Sequence, residues 1–201
     1  MSIAQVTCLL REVAEEITTC QRCGLGKTRT LTVPGEGPPD ARIMLIGEGP
    51  GEQEDRTGRP FVGAAGKLLN QLLLRAGLRR PDVFITNIVK CRPPGNRAPT
   101  PDEAAACRLY LETQIALINP RIICLLGRAA AQAMLDAPVS ISRIHGVPHE
   151  QDGIIYVPLY HPAAALHQPA LQPVLVQDME RLRGLLHERS LNKTSPTELK
   201  D

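Results

Sequence analysis

The segment that decides the fold is IMLIGEGPGEQED (43–55), in which an apolar run ends in glycine and an acid-rich loop follows. A short apolar run with glycine at its end is typical of a buried strand. Further apolar runs occupy 83–89, 121–126 and 154–160, and segments with helical spacing separate them. This alternation predicts an α/β fold, a three-layer α/β/α domain with a central four-stranded, mostly parallel sheet.

Helices are predicted where apolar residues recur every three or four positions. These segments are 3–19, 64–76, 101–118, a short stretch after Gly127, and 172–187. The third has the best-defined start, because TPDE (100–103) supplies an N-cap threonine, a proline in the first turn and a glutamate that completes a capping box. We expect one domain over 1–187 and a polar, disordered tail over 188–201.

Composition places the chain among globular proteins of the cytoplasm. It has 201 residues, of which 43% are hydrophobic and 22% charged, and its net charge is +2. No apolar run approaches the roughly 18 residues that a membrane helix needs, so no membrane association is expected. The N-terminal residues lack the basic segment of a signal peptide. In the cytoplasm thiols stay reduced, and clustered cysteines bind metal more often than they pair.

Four of the six cysteines form a candidate metal site. They are a C-x2-C pair followed by two widely separated cysteines, namely Cys20, Cys23, Cys91 and Cys107. Four thiolates suit either a [4Fe–4S] cluster or a zinc ion, and free thiols are the remaining interpretation. Cys8 and Cys124 fall on predicted apolar faces, where cysteine behaves as a small hydrophobe, so both are expected in the core.

Two groups of basic residues adjoin these cysteines. The first group is Arg22, Lys27 and Arg29, and the second is Lys90, Arg92 and Arg97. Because the net charge is small, any affinity for nucleic acid must come from such local groups. The plain alternative is that they are scattered, solvated charges.

Polar residues or glycines stand where the predicted strands end. In strand order they are Glu48, Asn87, Gly127 and His161. Ligands of open α/β sheets bind at the carboxyl ends of the strands, so these residues are expected to share one site. The loop after the first strand is no dinucleotide fingerprint, since Glu52 stands where G-x-G-x-x-G needs its last glycine, and no Walker motif is present.

Four longer blocks contain these residues and the cysteines. They are GEGPGEQEDRTGRPFVGAAGKLL (47–69), FITNIVKCRPPGNRAPTPDEAAAC (84–107), CLLG (124–127) and YHPAAAL (160–166). Together they resemble the type-4 uracil-DNA glycosylases, a family of base-excision repair enzymes. The resemblance covers roughly 18–187 and includes all four candidate ligands at the spacing of the family's cluster site. It implies a [4Fe–4S] cofactor on these cysteines. It also implies single- or double-stranded uracil-containing DNA as the partner, and hydrolysis of the N-glycosidic bond of a flipped-out uracil.

The resemblance also implies roles for individual residues. The expected catalytic residues are His161, Glu48 and Asn87. The expected uracil-binding residues are Glu48, Gly49, Glu54, Phe61, Asn87 and His161, and the expected DNA wedge is Leu166. A flat ring such as Phe61, in a glycine-rich loop, suits stacking on the base, and the alternative is that Phe61 is a core residue. The amide of Asn87 accepts from uracil N3–H and donates to O4, an arrangement that cytosine reverses. His161 donates to O2, where negative charge develops as uracil departs.

The resemblance leaves more than one role open for each of the two glutamates, Glu48 and Glu54. Glu48 orients the attacking water or shapes the pocket, and Glu54 excludes the 5-methyl group of thymine, unless either one instead caps the following helix. Gly49 stands where the best-studied uracil glycosylases carry an aspartate, so the sequence does not identify a general base. Ala163 stands where family members often have serine, which removes a phosphate-binding hydroxyl.

The remaining candidates have simpler interpretations. Leu166 lies in AAALHQP, which resembles the loop that enters the minor groove, where an apolar side chain fills the vacated stack. Structural or surface positions are predicted for Asp55, His145, His149, His167 and His187.

We therefore predict a monomeric uracil-DNA glycosylase, cytoplasmic and associated with the nucleoid, with an iron–sulfur subsite inside its single domain. It should be monofunctional, without lyase action, because no lysine is placed in the pocket to form a Schiff base, and Lys67 lies beyond it on a helix. The alternatives are an iron–sulfur DNA-binding or redox-sensing module without glycosylase activity, and a zinc-stabilised hydrolase of another nucleoside. A broader base range that includes hypoxanthine or xanthine is also open.

Overall fold

A computed structural model describes residues 1–135 and 137–191, with side chains as far as residue 186. Its centre is a five-stranded sheet with the strand order β2-β1-β3-β5-β4. The strands are β1 (Ile43–Gly47), β2 (Phe84–Asn87), β3 (Ile122–Leu126), β4 (His149–Gln151) and β5 (Ile154–Leu159). Neighbouring strands are parallel, except that β4 runs antiparallel to β5.

The mostly parallel sheet is as predicted, but the strand number is five where four were expected. The additional strand, β4, is a three-residue edge strand that pairs antiparallel with β5. Its sequence, HEQ, has no apolar residue and lies half-buried to exposed. A short polar edge strand carries no hydrophobic alternation, so the signal that identified the buried strands is missing there.

Helices cover both faces of the sheet. They are α1 (Ile3–Thr19), α2 (Glu52–Thr57), α3 (Ala64–Arg75), α4 (Pro101–Ile118), α5 (Arg128–Leu135), α6 (Ile141–Ile144), α7 (Pro162–His167) and α8 (Leu171–Leu191). The last helix extends into the stretch predicted as a disordered tail, and the rest of that tail lies outside the described residues. No helix in the described part of the chain is both long and apolar enough to cross a bilayer.

The core consists of two apolar clusters, one on each face of the sheet. Alternate residues of β1 enter different clusters, with Met44 and Ile46 on the face of α1, α4 and α5, and Ile43 and Leu45 on the face of α3, α7 and α8. Successive side chains of a strand point to opposite faces. Both faces of β1 are therefore covered, as the unbroken apolar run indicated, and the three-layer architecture is confirmed.

Local signals in the sequence give mixed results. The capping box of α4 is present, with the Thr100 amide donating to Glu103 Oε2 at 2.8 Å and the Glu103 amide donating to Thr100 Oγ1 at 3.3 Å. Cys124 is buried as predicted, and burial raises the pKa of its thiol to about 12. Cys8 is exposed, so its assignment to the core is wrong. The buried face of α1 carries Val6 and Val13, and a residue two positions after Val6 points away from that face.

Candidate active site

A cavity of about 320 Å³ opens at the carboxyl edge of the parallel strands. Its lining includes all six residues predicted to bind uracil: Glu48, Gly49, Glu54, Phe61, Asn87 and His161. The parallel register brings them together, because Gly47 at the end of β1 pairs with Asn87 at the end of β2. His161 reaches the same edge from the segment that follows β5.

Phe61 forms one wall of the cavity and also packs into the core. Its ring is 6% exposed and its centroid lies 5.6 Å from that of His161. Gly47 leaves room for this ring, since a Cβ there would lie 2.6 Å from Phe61 Cζ. The alternative that Phe61 is a core residue therefore describes its burial, while stacking on a base stays a prediction.

Glu54 holds the loop that carries Phe61. Its Oε1 accepts hydrogen bonds from the amides of Val62 and Gly63, both at 2.8 Å, and its Oε2 accepts from the amide of Gly51 at 3.1 Å. The alternative that Glu54 caps the following helix therefore describes this geometry. Both oxygens are engaged with backbone, while exclusion of the thymine methyl group stays a prediction.

Asn87 brings an unpaired acceptor to the cavity. The residue is 1% exposed, and its Oδ1 has no hydrogen-bond partner among the residues that the structure describes. Leaving a buried polar atom unpaired costs about 1–3 kcal/mol, so such an atom calls for an explanation. A ligand N–H group that enters the cavity is the natural partner for this oxygen.

His161 is the N-cap of α7, and its tautomer follows from a single contact. Its Nδ1 accepts from the amide of Ala163 at 3.1 Å, so the neutral ring carries its proton on Nε2. Burial lowers the pKa of His161 to about 4, although the charge of Glu54 acts in the opposite direction. A neutral imidazole with a free N–H group therefore lines the cavity at neutral pH.

Glu48 follows β1 and lies half-buried at the cavity. Burial raises the pKa of its carboxyl group, and the charge of Arg128 opposes this effect. Arg128 begins α5, directly after β3. Within the described part of the chain, no side-chain hydrogen bond ties Glu48 to the following helix, so the surroundings of its carboxylate differ from those of Glu54.

The four predicted metal ligands meet at a second, smaller cavity. It is lined by Cys20, Cys23, Cys91 and Cys107, together with residues such as Arg29 and Tyr110. Three of these sulfurs accept N–H hydrogen bonds: Cys91 from Arg29 Nη1 at 3.2 Å, Cys107 from the Lys90 amide at 3.4 Å, and Cys20 from the Arg22 amide at 3.5 Å. Within residues 1–135 and 137–191, no three potential ligands are placed closely enough to hold a single metal ion.

Known proteins with similar sequences decide the family. A model described as the Uracil DNA glycosylase superfamily matches residues 34–182. The type-4 uracil-DNA glycosylase of Sulfurisphaera tokodaii is 48% identical over 185 residues, which cover 88% of this chain and 84% of the relative. That of Thermotoga maritima is 45% identical over 182 residues, covering 89% and 95%. That of Archaeoglobus fulgidus is 44% identical over 184 residues, covering 88% and 92%.

The chain belongs to the type-4 uracil-DNA glycosylases. The predicted family is thereby confirmed, and with it the enzyme class, a hydrolase that acts on N-glycosyl bonds.

In this glycosylase, Leu166 lies outside the cavity on α7. Its side chain is among the exposed large hydrophobic ones, at 43% exposure. The segment predicted as a loop is a short helix, which begins at Pro162 immediately after the N-cap His161. Proline at the first helical position favours this start. An exposed apolar side chain close to the cavity is compatible with a wedge, a role that stays a prediction.

The basic groups beside the cysteines are only partly surface charges. Lys90 is 1% exposed, and its Nζ donates to Thr86 Oγ1, Asn87 O and Gln114 Oε1 at 2.5, 2.9 and 2.7 Å. Its assignment to a DNA-binding patch is therefore wrong. Burial lowers the pKa of the Lys90 amine to about 7, with the charge of Cys107 acting in the opposite direction.

Several lining residues of this glycosylase cavity were not predicted. They come from the loop after β2 and from the start of α7, namely Pro93, Asn96, Arg97, Pro99 and Ala163. The proline-rich loop RPPGNRAP (92–99) follows a strand that ends at the site. Its position in the sequence could therefore have predicted that it lines the cavity. Arg97 forms a salt bridge with Glu103 at 2.7 Å, which fixes the loop to the start of α4.

Proposed function

We propose that this protein removes uracil from DNA by hydrolysing its N-glycosidic bond after the nucleotide has been flipped into the cavity, leaving an abasic site. The observation that carries the proposal is the buried, unpaired Oδ1 of Asn87 at the cavity. Uracil presents an N3–H donor to this oxygen, and its O4 accepts from the Asn87 amide group. Cytosine has no hydrogen on N3 and carries a donor at C4, so it would leave both groups unsatisfied.

The other lining residues divide the remaining work. Phe61 stacks on the uracil ring, and His161 Nε2–H donates to uracil O2, where negative charge grows as the bond breaks. A neutral histidine suits this task, because its Nδ1 accepts from the Ala163 amide and its single ring proton is therefore held on Nε2. Glu48 orients the attacking water and offsets the positive charge that develops on the sugar. Leu166, which lies outside the cavity, fills the gap in the stack that the flipped nucleotide leaves.

The cysteine cavity fits a [4Fe–4S] cluster, which Cys20, Cys23, Cys91 and Cys107 would hold. Its donor set supports this assignment, since N–H groups directed at the sulfurs are a regular feature of iron–sulfur sites. When bound, the cluster supplies a cross-link between the N-terminal segment, the loop after β2 and α4. Zinc is the alternative occupant of four thiolates.

The reaction is monofunctional hydrolysis. Among the described residues, those that line the cavity include no lysine, so no amine is available there to form a Schiff base with the sugar. Lys90 lies close by but is enclosed beneath Asn87. We further propose that the protein acts as a monomer in the cytoplasm, at the nucleoid, on uracil in both single- and double-stranded DNA.

A fluorescent oligonucleotide with one uracil, cleaved by alkali after incubation, tests the proposal. We expect uracil-dependent cleavage, and a loss of at least about 10²-fold in His161→Ala because the donor to the departing base is gone. Asn87→Asp should reduce uracil cleavage about tenfold or more and weaken discrimination against cytosine. Gln151→Ala, at the exposed end of the edge strand β4 and away from the carboxyl ends of the parallel strands, is the control and should cleave like the wild type.

Two results would contradict this proposal. Tight binding of uracil-containing DNA without base release, from protein with an intact metal site, would favour a DNA-binding module. Unchanged cleavage in both His161→Ala and Asn87→Asp would show that this cavity is not the active site.

A further inference from the structure

Phe61 has a backbone conformation that its surroundings must maintain. Its φ of 49° lies in the left-handed region, which a bulky residue rarely adopts and keeps only where contacts hold it. On its C-terminal side, Glu54 holds the amides of Val62 and Gly63. The carbonyl groups of Pro60 and Phe61 are held by a different residue.

That residue is Arg80, from the turn that precedes β2. Its Nη1 donates to the carbonyl of Phe61 at 3.0 Å, and its Nη2 donates to the carbonyl of Pro60. Its Nε donates to Glu36 Oε1 at 2.8 Å, and the side chain is only 18% exposed. The rigid guanidinium fork fixes two successive carbonyls in one orientation, which the single ammonium of a lysine does not do.

Glu36 ties Arg80 to the strand that carries Asn87. Its backbone exchanges two hydrogen bonds with Ile85 in β2, at 3.0 and 2.8 Å. Its carboxylate also accepts from Arg59, at 2.8 and 3.2 Å, in the same loop as Phe61. Burial by itself raises the pKa of Glu36, but the hydrogen bonds from Arg59 and Arg80 outweigh it and keep the pKa below its ordinary value. The carboxylate that anchors Arg80 is therefore charged.

We infer that Arg80, anchored by Glu36, is a positioning residue that fixes the ring of Phe61 relative to the amide of Asn87. Neither Arg80 nor Glu36 lines the cavity, so an effect of Arg80 on a base is indirect, and its hydrogen bond to the Phe61 carbonyl is the contact that leads to the cavity. The inference rests on the proposed function, in which Phe61 stacks on the base that Asn87 reads. It adds a second requirement for specificity, a fixed distance between the stacking ring and the hydrogen-bonding edge.

The test is Arg80→Met, which keeps an unbranched apolar side chain and removes the donors. We expect kcat/KM on uracil-containing DNA to fall about tenfold, because a small displacement of a group that orients substrate has a large kinetic effect. Arg80→Lys should recover part of this loss. Arg79→Met is the matched control, since Arg79 is 74% exposed and pairs with Asp82 near the surface, and its activity should stay within about twofold of wild type.

Two further measurements separate positioning from a general structural effect. In a Phe61→Ala background, adding Arg80→Met should change kcat/KM by less than about twofold, since the group through which Arg80 acts is gone. Hydrogen exchange of the amides of Val62 and Gly63 should be faster in Arg80→Met than in Arg79→Met. If Arg80→Met fails to fold, Glu36→Gln replaces it and should also accelerate exchange in this loop.

The outcomes distinguish this inference from the proposed function. Active wild type together with equal activity in Arg80→Met and Arg79→Met would overturn the positioning role alone. An undiminished effect of Arg80→Met in the Phe61→Ala background would do the same. Inactive wild type would overturn the proposed function, and unchanged loop exchange in Arg80→Met or Glu36→Gln would then overturn the positioning of Phe61 as well.

Discussion

At the scale of single residues, burial divides the ionisable groups of the cavity by role. His161 stays neutral because burial lowers its pKa to about 4, while Glu48 loses its charge more readily because burial raises its pKa. Glu54 is tied to three backbone amides and serves the loop. Two carboxylates only six residues apart thus differ in environment, because Glu54 accepts three backbone hydrogen bonds and no side-chain hydrogen bond to Glu48 is present within the described residues.

The raised pKa of Glu48 predicts the acid limb of the pH profile. In the proposed function the charged carboxylate is the active form, so activity should be lost as the pH falls through the raised pKa, at a higher pH than for an ordinary glutamate. His161 does not titrate in this range, since its pKa of about 4 lies lower. Glu48→Gln should lower single-turnover kcat roughly 10²-fold at neutral pH and flatten the acid limb. An unchanged limb in Glu48→Gln would assign it to another group, and Glu52→Gln, on the exposed side of α2, is the control.

At the scale of elements, the sequence predicted those whose signal is local. Buried strands were visible as apolar runs, and the start of α4 was visible in its capping residues. The edge strand β4 and the short helices α2, α6 and α7 were missed, because β4 has no apolar residue and each of these helices is too short to show a period. Lys90 was misplaced for a related reason. Its partners Thr86 and Gln114 surround it only after β2 and α4 have packed, and nothing adjacent in sequence announces a buried amine.

The junction between β3 and α5 offers a prediction at this scale. Gly127 has a φ of +94°, and a Cβ there would lie 3.0 Å from His161 Cβ, so the glycine permits the close approach of the segment after β5. Gly127→Ala should cost about 1–3 kcal/mol of stability from backbone strain and also displace His161. Activity should therefore fall by more than the loss of folded protein accounts for.

Gly153→Ala is the matched control for this change. Gly153 has a φ of +77° in the β4–β5 turn, with open space around its absent side chain. Gly153→Ala should lower the melting temperature about as much as Gly127→Ala does, by about 2–4 °C for each kcal/mol of lost stability. It should leave the activity of the folded protein unchanged. If both variants lose activity in proportion to stability, Gly127 serves only the fold.

At the scale of the whole molecule, the cysteine site connects segments that are distant in the sequence. Cys20 and Cys23 follow α1, Cys91 follows β2, and Cys107 lies within α4. The loop over 92–99 directly follows Cys91 and forms part of the wall of the active-site cavity. Loss of the metal site should therefore affect both stability and catalysis. A cross-link that did not reach the cavity wall would affect stability alone.

Cys91→Ser tests this connection, with Cys8→Ser as the control because Cys8 is exposed and away from the site. Binding of metal to the folded state contributes directly to folding free energy, so Cys91→Ser should lower the melting temperature by roughly 10 °C or more. It should also lose the iron and acid-labile sulfide that the wild type and Cys8→Ser retain. Single-turnover cleavage, measured well below the melting temperature, should fall as well, because the loop beyond Cys91 forms part of the cavity wall.

Zinc in place of iron in the wild type would assign the four thiolates to a single ion. Full activity in metal-free Cys91→Ser would show that the active site does not depend on the cysteine site.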